Sequence, residues 1–199
     1  LIVASVNNRG MLMVHQREKE CVRLGSSTGK DMKHLQEDAI ERGVETLKNF
    51  AKLARSAKAE IFAAATSAVR EAENKFEFID RVKTEAGIEV SVISGPEEGR
   101  LIYIGAIHAL PIFTQKAFVI DIGGGSTETI IGKNGEIRFV HSAKLGSIRI
   151  TKNFFPDFIS TSSKIKKCRE FIKGVWTPIL ERAKETGFEV AIGTSGTIT

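Results

Sequence analysis

Cysteine is nearly absent: Cys21 and Cys168 are the only two in 199 residues, far apart and in no metal-like spacing. That excludes a disulfide framework and a thiolate metal centre and leaves two reduced structural thiols. The four histidines, His15, His34, His108 and His141, are just as scattered, with no HxxxH or His–Cys spacing, and read as surface or core residues. No stretch reaches the roughly 18 uninterrupted apolar residues of a membrane span. The run Leu1–Val6 is too short for a signal peptide and lacks its basic flank, so the expected location is the cytoplasm, with no membrane partner. A basic–aromatic platform for nucleic acid is missing too, and DNA is not expected as a partner. The phosphate-loop spacing GxxxxGK[ST] is absent; Gly25-Ser26-Ser27-Thr28-Gly29-Lys30 comes near it but reads as a plain polar loop.

What is present is an ordinary globular composition, 42% hydrophobic and 27% charged, in a chain long enough for one large or two modest domains. A net charge of +5 favours anionic partners without identifying them. The chain is organised around Phe118 to Gly132, FVIDIGGGSTETIIG, which reads as a strand, a tight turn stripped of side chains, and a returning strand. Glycine permits unusual φ values and close approach, so backbone N–H groups can converge on an anion there. The acids Asp121 and Glu128 would repel a bare phosphate, so their presence on either side of the turn suggests a metal-bound one.

In chain order, the strand Leu1 to Val6, a hairpin turn at Asn7-Asn8-Arg9-Gly10 and a returning strand from Met11 to Leu24 come first. Leu35, Ala39, Ile40, Val44, Leu47, Phe50, Ala51 and Ala54 recur at three and four residues and predict an amphipathic helix over Leu35 to Leu53. A short buried strand is expected at Glu60 to Ala65, a helix from about Lys75 to Ala86 closed by Gly87, and a strand at Ile88 to Ile93. Ser94-Gly95-Pro96-Glu97-Glu98 then opens a helix reaching about Ala109, which sets both carboxylates at its N-terminus. After the glycine turn, Lys133-Asn134-Gly135-Glu136 turns the chain into a strand at Ile137 to Ala143. Helices are expected from Ser147 to about Phe154 and from about Ser163 to Thr186, and a buried strand at Val190 to Gly193 runs into Thr194-Ser195-Gly196-Thr197. The repeated strand order suggests a duplicated architecture whose first copy has lost its opening strand and loop. The chain begins without Met and stops on a second phosphate-type turn, and truncation at both ends is the expectation.

With these residues in view, the sequence resembles the exopolyphosphatase / guanosine pentaphosphate phosphohydrolase family of the actin, hsp70 and sugar-kinase superfamily. TSAVREAEN, SGPEEGRLIYIG, VIDIGGGSTE, LGSIRIT and GTSGTI look like five of its motifs, in its order and at its spacing. The resemblance implies an α/β fold of two ribonuclease-H-like (actin-like ATPase) lobes with mixed sheets, about 1–115 and 116–199, the second lobe truncated, with the active site in the cleft between them. It implies hydrolysis of a terminal phosphoanhydride on inorganic polyphosphate or guanosine pentaphosphate, with Mg²⁺, and a homodimer is left open as the assembly. By matching motif positions, Glu98 would activate the attacking water and Arg70 would bind phosphate. Asp121 and Glu128 would serve the metal or the water. Gly123, Gly124, Gly125 and Ser126 would form one phosphate turn, and Gly193, Thr194, Ser195, Gly196 and Thr197 would line the same cleft. The family's first acidic phosphate loop, which precedes the strand matching Leu1 to Val6, has no counterpart here.

The residue types suit that chemistry by themselves. Phosphoryl transfer needs neutralised phosphate oxygens and an in-line nucleophile. Arg70 can pair with phosphate bidentately, and Asp121 and Glu128 are oxygen ligands of the kind Mg²⁺ takes. Plainer roles exist for each: helix N-terminal electrostatics accounts for Glu97 as well as Glu98, a surface ion pair with Glu71 or Glu73 accounts for Arg70, and Thr194-Ser195-Gly196-Thr197 is a common turn. The basic cluster Lys164, Lys166, Lys167, Arg169 and Lys173 reads as a solvated helix face that could extend a track for a long polyanion. Trp176, Phe154, Phe155 and Phe158 read as core or interlobe packing. Two rival functions are a kinase-type phosphotransferase built on the same lobes and a non-catalytic polyphosphate- or nucleotide-binding module.

Overall fold

The computed structural model describes residues 1–25 and 33–198, and the structural statements below concern those residues. Most of the polar loop read at Gly25–Lys30 lies outside them. The chain divides into two compact units, Leu1–Val92 and Ile93–Thr199.

In the first unit, β1 (Ile2–Val6) and β2 (Leu12–Arg17) form an antiparallel hairpin, and β3 (Ala63–Ala65) pairs in parallel with β4 (Val90–Val92). The helix α1 (Glu37–Ser56) starts two residues later than its apolar period suggests, with Glu37 and Asp38 in the first turn, where acids complement the helix dipole. Its buried stripe, Ile40, Val44 and Ala51, packs with Val69, Phe78, Val82 and Ile88 into one core. The strand expected over Glu60 to Ala65 shortens to three residues because Phe62 is 86% exposed and the ladder to β4 holds only at Ala63–Ala65. A helix that the sequence reading did not assign, α2 (Ser67–Glu71), follows at once. The next helix, α3 (Lys75–Arg81), continues as a π turn over Val82–Ala86 and closes on Gly87 in the left-handed conformation, as expected of a glycine cap.

The second unit begins with α4 (Gly95–Ala109), followed by β5 (Ala117–Ile122), β6 (Thr127–Lys133) and β7 (Glu136–Ala143) as an antiparallel meander. Then come α5 (Ser147–Phe154), α6 (Ser162–Thr186) and β8 (Val190–Thr194), which returns parallel to β5. The strand order β7-β6-β5-β8 is mixed, the ribonuclease-H-like pattern. Period-two alternation sends Ala117, Val119 and Ile130 to one face, under Tyr103 and Ala106 of α4. Phe118 and Ile131 face the other way, under Ala183 and Leu180 of α6. The unit is therefore a sheet between two helical layers. Tyr103 and Ala106 of α4 are buried against this sheet, within the Ile93–Thr199 unit.

Smaller expectations also resolve. Both cysteines are free, Cys21 exposed and Cys168 buried. Phe154 packs on Phe171 with ring centroids 5.3 Å apart, and Trp176 joins the cluster around Ile179, but Phe158 is 86% exposed and packs in no core. Among the described residues, no helix is long and apolar enough to cross a membrane.

Candidate functional site

The register of the second sheet builds the site. Asp121 on β5 lies opposite Glu128 on β6, Glu128 lies opposite Ser142 on β7, and Asp121 pairs with Thr194 on β8. Cross-strand partners project to the same face, so four oxygen-bearing side chains make one row: Ser142, Glu128, Asp121, Thr194. Ser142 Oγ donates to Glu128 Oε1 at 2.7 Å, and Thr194 Oγ1 donates to Asp121 Oδ2 at 2.6 Å. The two outer hydroxyls thus orient the two inner carboxylates. The row lies on the face that α4 covers, one step beyond the apolar pair Val119 and Ile130.

Glu98 enters from the first turn of α4. The helix starts where it does because Ser94 Oγ accepts the Glu97 N–H at 3.2 Å and Pro96 sits in the first turn. The two neighbouring acids, equivalent in the sequence, have different fates. Glu97 is clamped by Arg100 through two bonds of 2.7 and 2.8 Å, and that guanidinium holds its carboxyl below the usual glutamate range. Glu98, half-buried, instead lies close enough to Glu128 to act on its charge.

Glu128 is 1% exposed. Burial pushes its carboxyl above the usual range, the fields of Glu98 and Asp121 push the same way, and hydrogen bonds from Ser142 and Ser126 oppose them. In the unfolded chain Glu128 loses its proton near the ordinary value of about 4.3, whereas in the fold it keeps the proton to higher pH. The Glu128 contribution to stability therefore falls as pH rises from the unfolded value through the folded one, and stays lower above it. Glu128→Gln removes that loss: in protein freed of divalent cations, the variant is expected to melt above the parent at pH 7 to 8, with the gap closing toward pH 4. Parallel melting curves across that range would refute the charge assignment.

The turn Gly123–Ser126 is held from behind by the start of α5. Gly123 O accepts the Ser147 N–H at 2.9 Å, Gly124 O accepts those of Ile148 and Arg149 at 2.9 and 3.2 Å, and Gly125 O accepts Arg149 Nε–H at 2.9 Å. Planar trans peptides set each N–H opposite the preceding carbonyl. The N–H groups of Gly124, Gly125 and Ser126 therefore point away from α5, as a phosphate cradle requires. One premise of the sequence reading is corrected here: none of the three glycines has positive φ. Close approach is served by Gly124, where a Cβ would sit 2.9 Å from Ile148 Cδ1, and above all by Gly146 at the start of α5, where one would sit 2.2 Å from the Gly124 carbonyl carbon and oxygen.

Gly193 and Thr194 end β8, and Ser195 begins the following turn at φ 75°, a left-handed conformation uncommon for a side chain with a Cβ. Ser195 O accepts the Ile198 N–H at 3.1 Å across Gly196 and Thr197. Arg70 belongs to the first unit, half-buried in α2, with its N–H on Thr66 O at 2.8 Å. Among the described residues, no three His, Cys, Asp or Glu side chains gather at metal-binding distance. Asp121 and Glu128 form a two-carboxylate edge, which suits a cation that keeps several waters, as Mg²⁺ does. Sequence reasoning missed Ser142, Gly146 and Arg149; LGSIRIT was visible as a motif but carried no residue roles.

A model of the Ppx/GppA phosphatase family matches residues 2–199. Among solved structures, an exopolyphosphatase from Cytophaga hutchinsonii superposes with a TM-score of 0.90 at 30% identity, over 98% of this chain and 62% of that one. The Aquifex aeolicus PPX-GPPA enzyme superposes with a TM-score of 0.79 at 33% identity, over 100% of this chain and 64% of that one. The chain thus spans less than two thirds of the length of either relative. On the family model and both structural likenesses, the chain belongs to the Ppx/GppA phosphatase family.

Proposed function

We propose that this chain carries the water-directing and phosphate-holding half of a phosphoanhydride hydrolase that releases terminal phosphate from inorganic polyphosphate, with guanosine pentaphosphate as the second substrate. The observation that carries the reading is the juxtaposition in one compact unit of Glu98, the carboxylate row and the glycine turn. Glu98 accepts a proton from water, the water oxygen bonds to the terminal phosphorus, and the bond from phosphorus to the bridging oxygen breaks, so that the shortened chain leaves with that oxygen. No covalent enzyme intermediate is required. The N–H groups of Gly124, Gly125 and Ser126 receive the phosphate oxygens, and the turn after β8 supplies further donors. Asp121 and Glu128 would hold Mg²⁺, which when bound neutralises phosphate charge.

The test is phosphate release by the intact protein from long-chain polyphosphate and from guanosine pentaphosphate, with Mg²⁺ present. Release from polyphosphate ahead of the nucleotide is the expected result. Binding of both without release would replace the hydrolase reading with that of a binding module, and transfer of phosphate to an acceptor in place of water would point to a phosphotransferase.

A further inference from the structure

Arg149 is 9% exposed on the first turn of α5, an unusual position for a guanidinium. Its Nε–H donates to Gly125 O at 2.9 Å, while its backbone N–H donates to Gly124 O at 3.2 Å. One residue thereby fastens two successive carbonyls of the glycine turn. The segment before it is fixed as well: Leu145 O accepts the Thr127 hydroxyl at 2.9 Å, and Gly146 lies in direct contact with the Gly124–Gly125 backbone. The Gly125 carbonyl and the Ser126 N–H belong to the same peptide plane, so fixing one aims the other.

We propose that Arg149 is a positioning residue, which aims the Ser126 N–H at phosphate by holding the Gly125 carbonyl from the opposite side. The inference rests on the reading of Gly123–Ser126 as the phosphate turn. It makes the hydrogen-bond donor at Nε the essential feature of Arg149, and not its charge. A direct role for the charge is the competing account, because Lys152 lies within the field of Arg149 and two cations beside the turn could draw an anion themselves.

Three substitutions in the intact protein separate these accounts. In Arg149→Gln the amide nitrogen follows Cδ as Nε does in arginine, so an N–H donor is kept at the same point while the charge is lost. Arg149→Lys keeps the charge and puts carbon at that point; Arg149→Met keeps neither. The readouts are kcat and KM for phosphate release from polyphosphate, the shift of the Ser126 backbone amide signal on adding tripolyphosphate, and thermal melting. Gln is expected to stay near the parent in both functional readouts. Lys and Met are expected to lose about 10²-fold in kcat/KM, the scale of a misplaced positioning group, and to lose the amide shift. Activity kept by Lys and lost by Gln would overturn the proposal in favour of charge, and four equal proteins would overturn it altogether. Should Lys and Met fail to fold, the Gln comparison decides: a Gln variant matching the parent supports the clamp, and one lacking the amide shift overturns it. A parent that releases no phosphate defeats the hydrolase reading, while its Ser126 amide still reports on the clamp; a parent amide that does not move overturns the inference.

Discussion

Glu98→Gln is expected to lower kcat for phosphate release by about 10²–10⁴-fold, the usual contribution of a positioned general base, while leaving the melting temperature and substrate affinity near those of the parent. The reason lies in the local structure. Glu98 sits in the first turn of α4, and the cap that starts the helix is built from Ser94, Glu97 and Pro96, not from Glu98. The helix is anchored downstream by Tyr103 and Ala106. Removing one negative charge near Glu128 relieves like-charge repulsion and forfeits the favourable placement of an acid at a helix N-terminus, two small effects of opposite sign. Glu97→Gln is the internal control: it loosens the bond to Arg100, an exposed pair worth little, and should leave turnover within a few-fold of the parent. Steady-state kinetics beside calorimetry on both variants checks this. Equal losses in the two would remove Glu98 from its role.

The second large effect is expected from Gly146→Ala. The added methyl would lie 2.2 Å from the carbonyl carbon and oxygen of Gly124 and 2.3 Å from the nitrogen of Gly125. These are backbone atoms and cannot rotate aside, so either α5 or the turn must move. Overpacking of this kind typically costs about 1–3 kcal/mol, and in a protein of this size each kcal/mol lowers the melting temperature by about 2–4 °C. The functional cost should exceed the structural one, since displacing a phosphate cradle by about 1 Å is enough for a 10²-fold loss. Gly174→Ala, in open space on α6, is the matched control and should be neutral or slightly stabilising. Phosphate release and thermal melting of the two variants, measured side by side, test the contrast. A Gly146→Ala protein with unchanged turnover would mean that the turn is not held by α5.

Much of this was legible before any coordinates. The hydrophobic runs on either side of Gly123–Gly125 marked a strand, a turn and a returning strand, and Asp121 and Glu128 could be named as the acids flanking the turn. The early glutamates of α4 were legible as well, from Ser94 and Pro96. What stayed hidden depended on pairing. Continued without interruption, the register set by Lys133 opposite Glu136 and Gly132 opposite Ile137 would bring His141 opposite Glu128. A bulge between Ile131 and Gly132 shifts the pairing by one residue and brings Ser142 there instead. Nothing in the local composition marks that bulge. Helix electrostatics does not choose between Glu97 and Glu98, since both suit a helix N-terminus; the motif resemblance pointed to Glu98, and the folded position of Arg100 sets the two apart. Arg149 was hidden for a different reason: in sequence, an arginine on a short amphipathic helix reads as solvent-facing, and burial against two carbonyls of a neighbouring turn is a tertiary fact.

The packing of Tyr103 has one more implication. Its ring lies over Gly132, where any Cβ would come within 2.4 Å of Tyr103 Cζ. Five residues separate Tyr103 from Glu98, about 7.5 Å along a helix rising 1.5 Å per residue. The helix is therefore pinned near its middle, and the pin lies on a strand that also carries Glu128. A change at the pin is expected to shift Glu98 while leaving the glycine turn intact. Under the proposed role of Glu98, turnover would be adjustable from a buried position that never meets substrate, without altering what the site recognises.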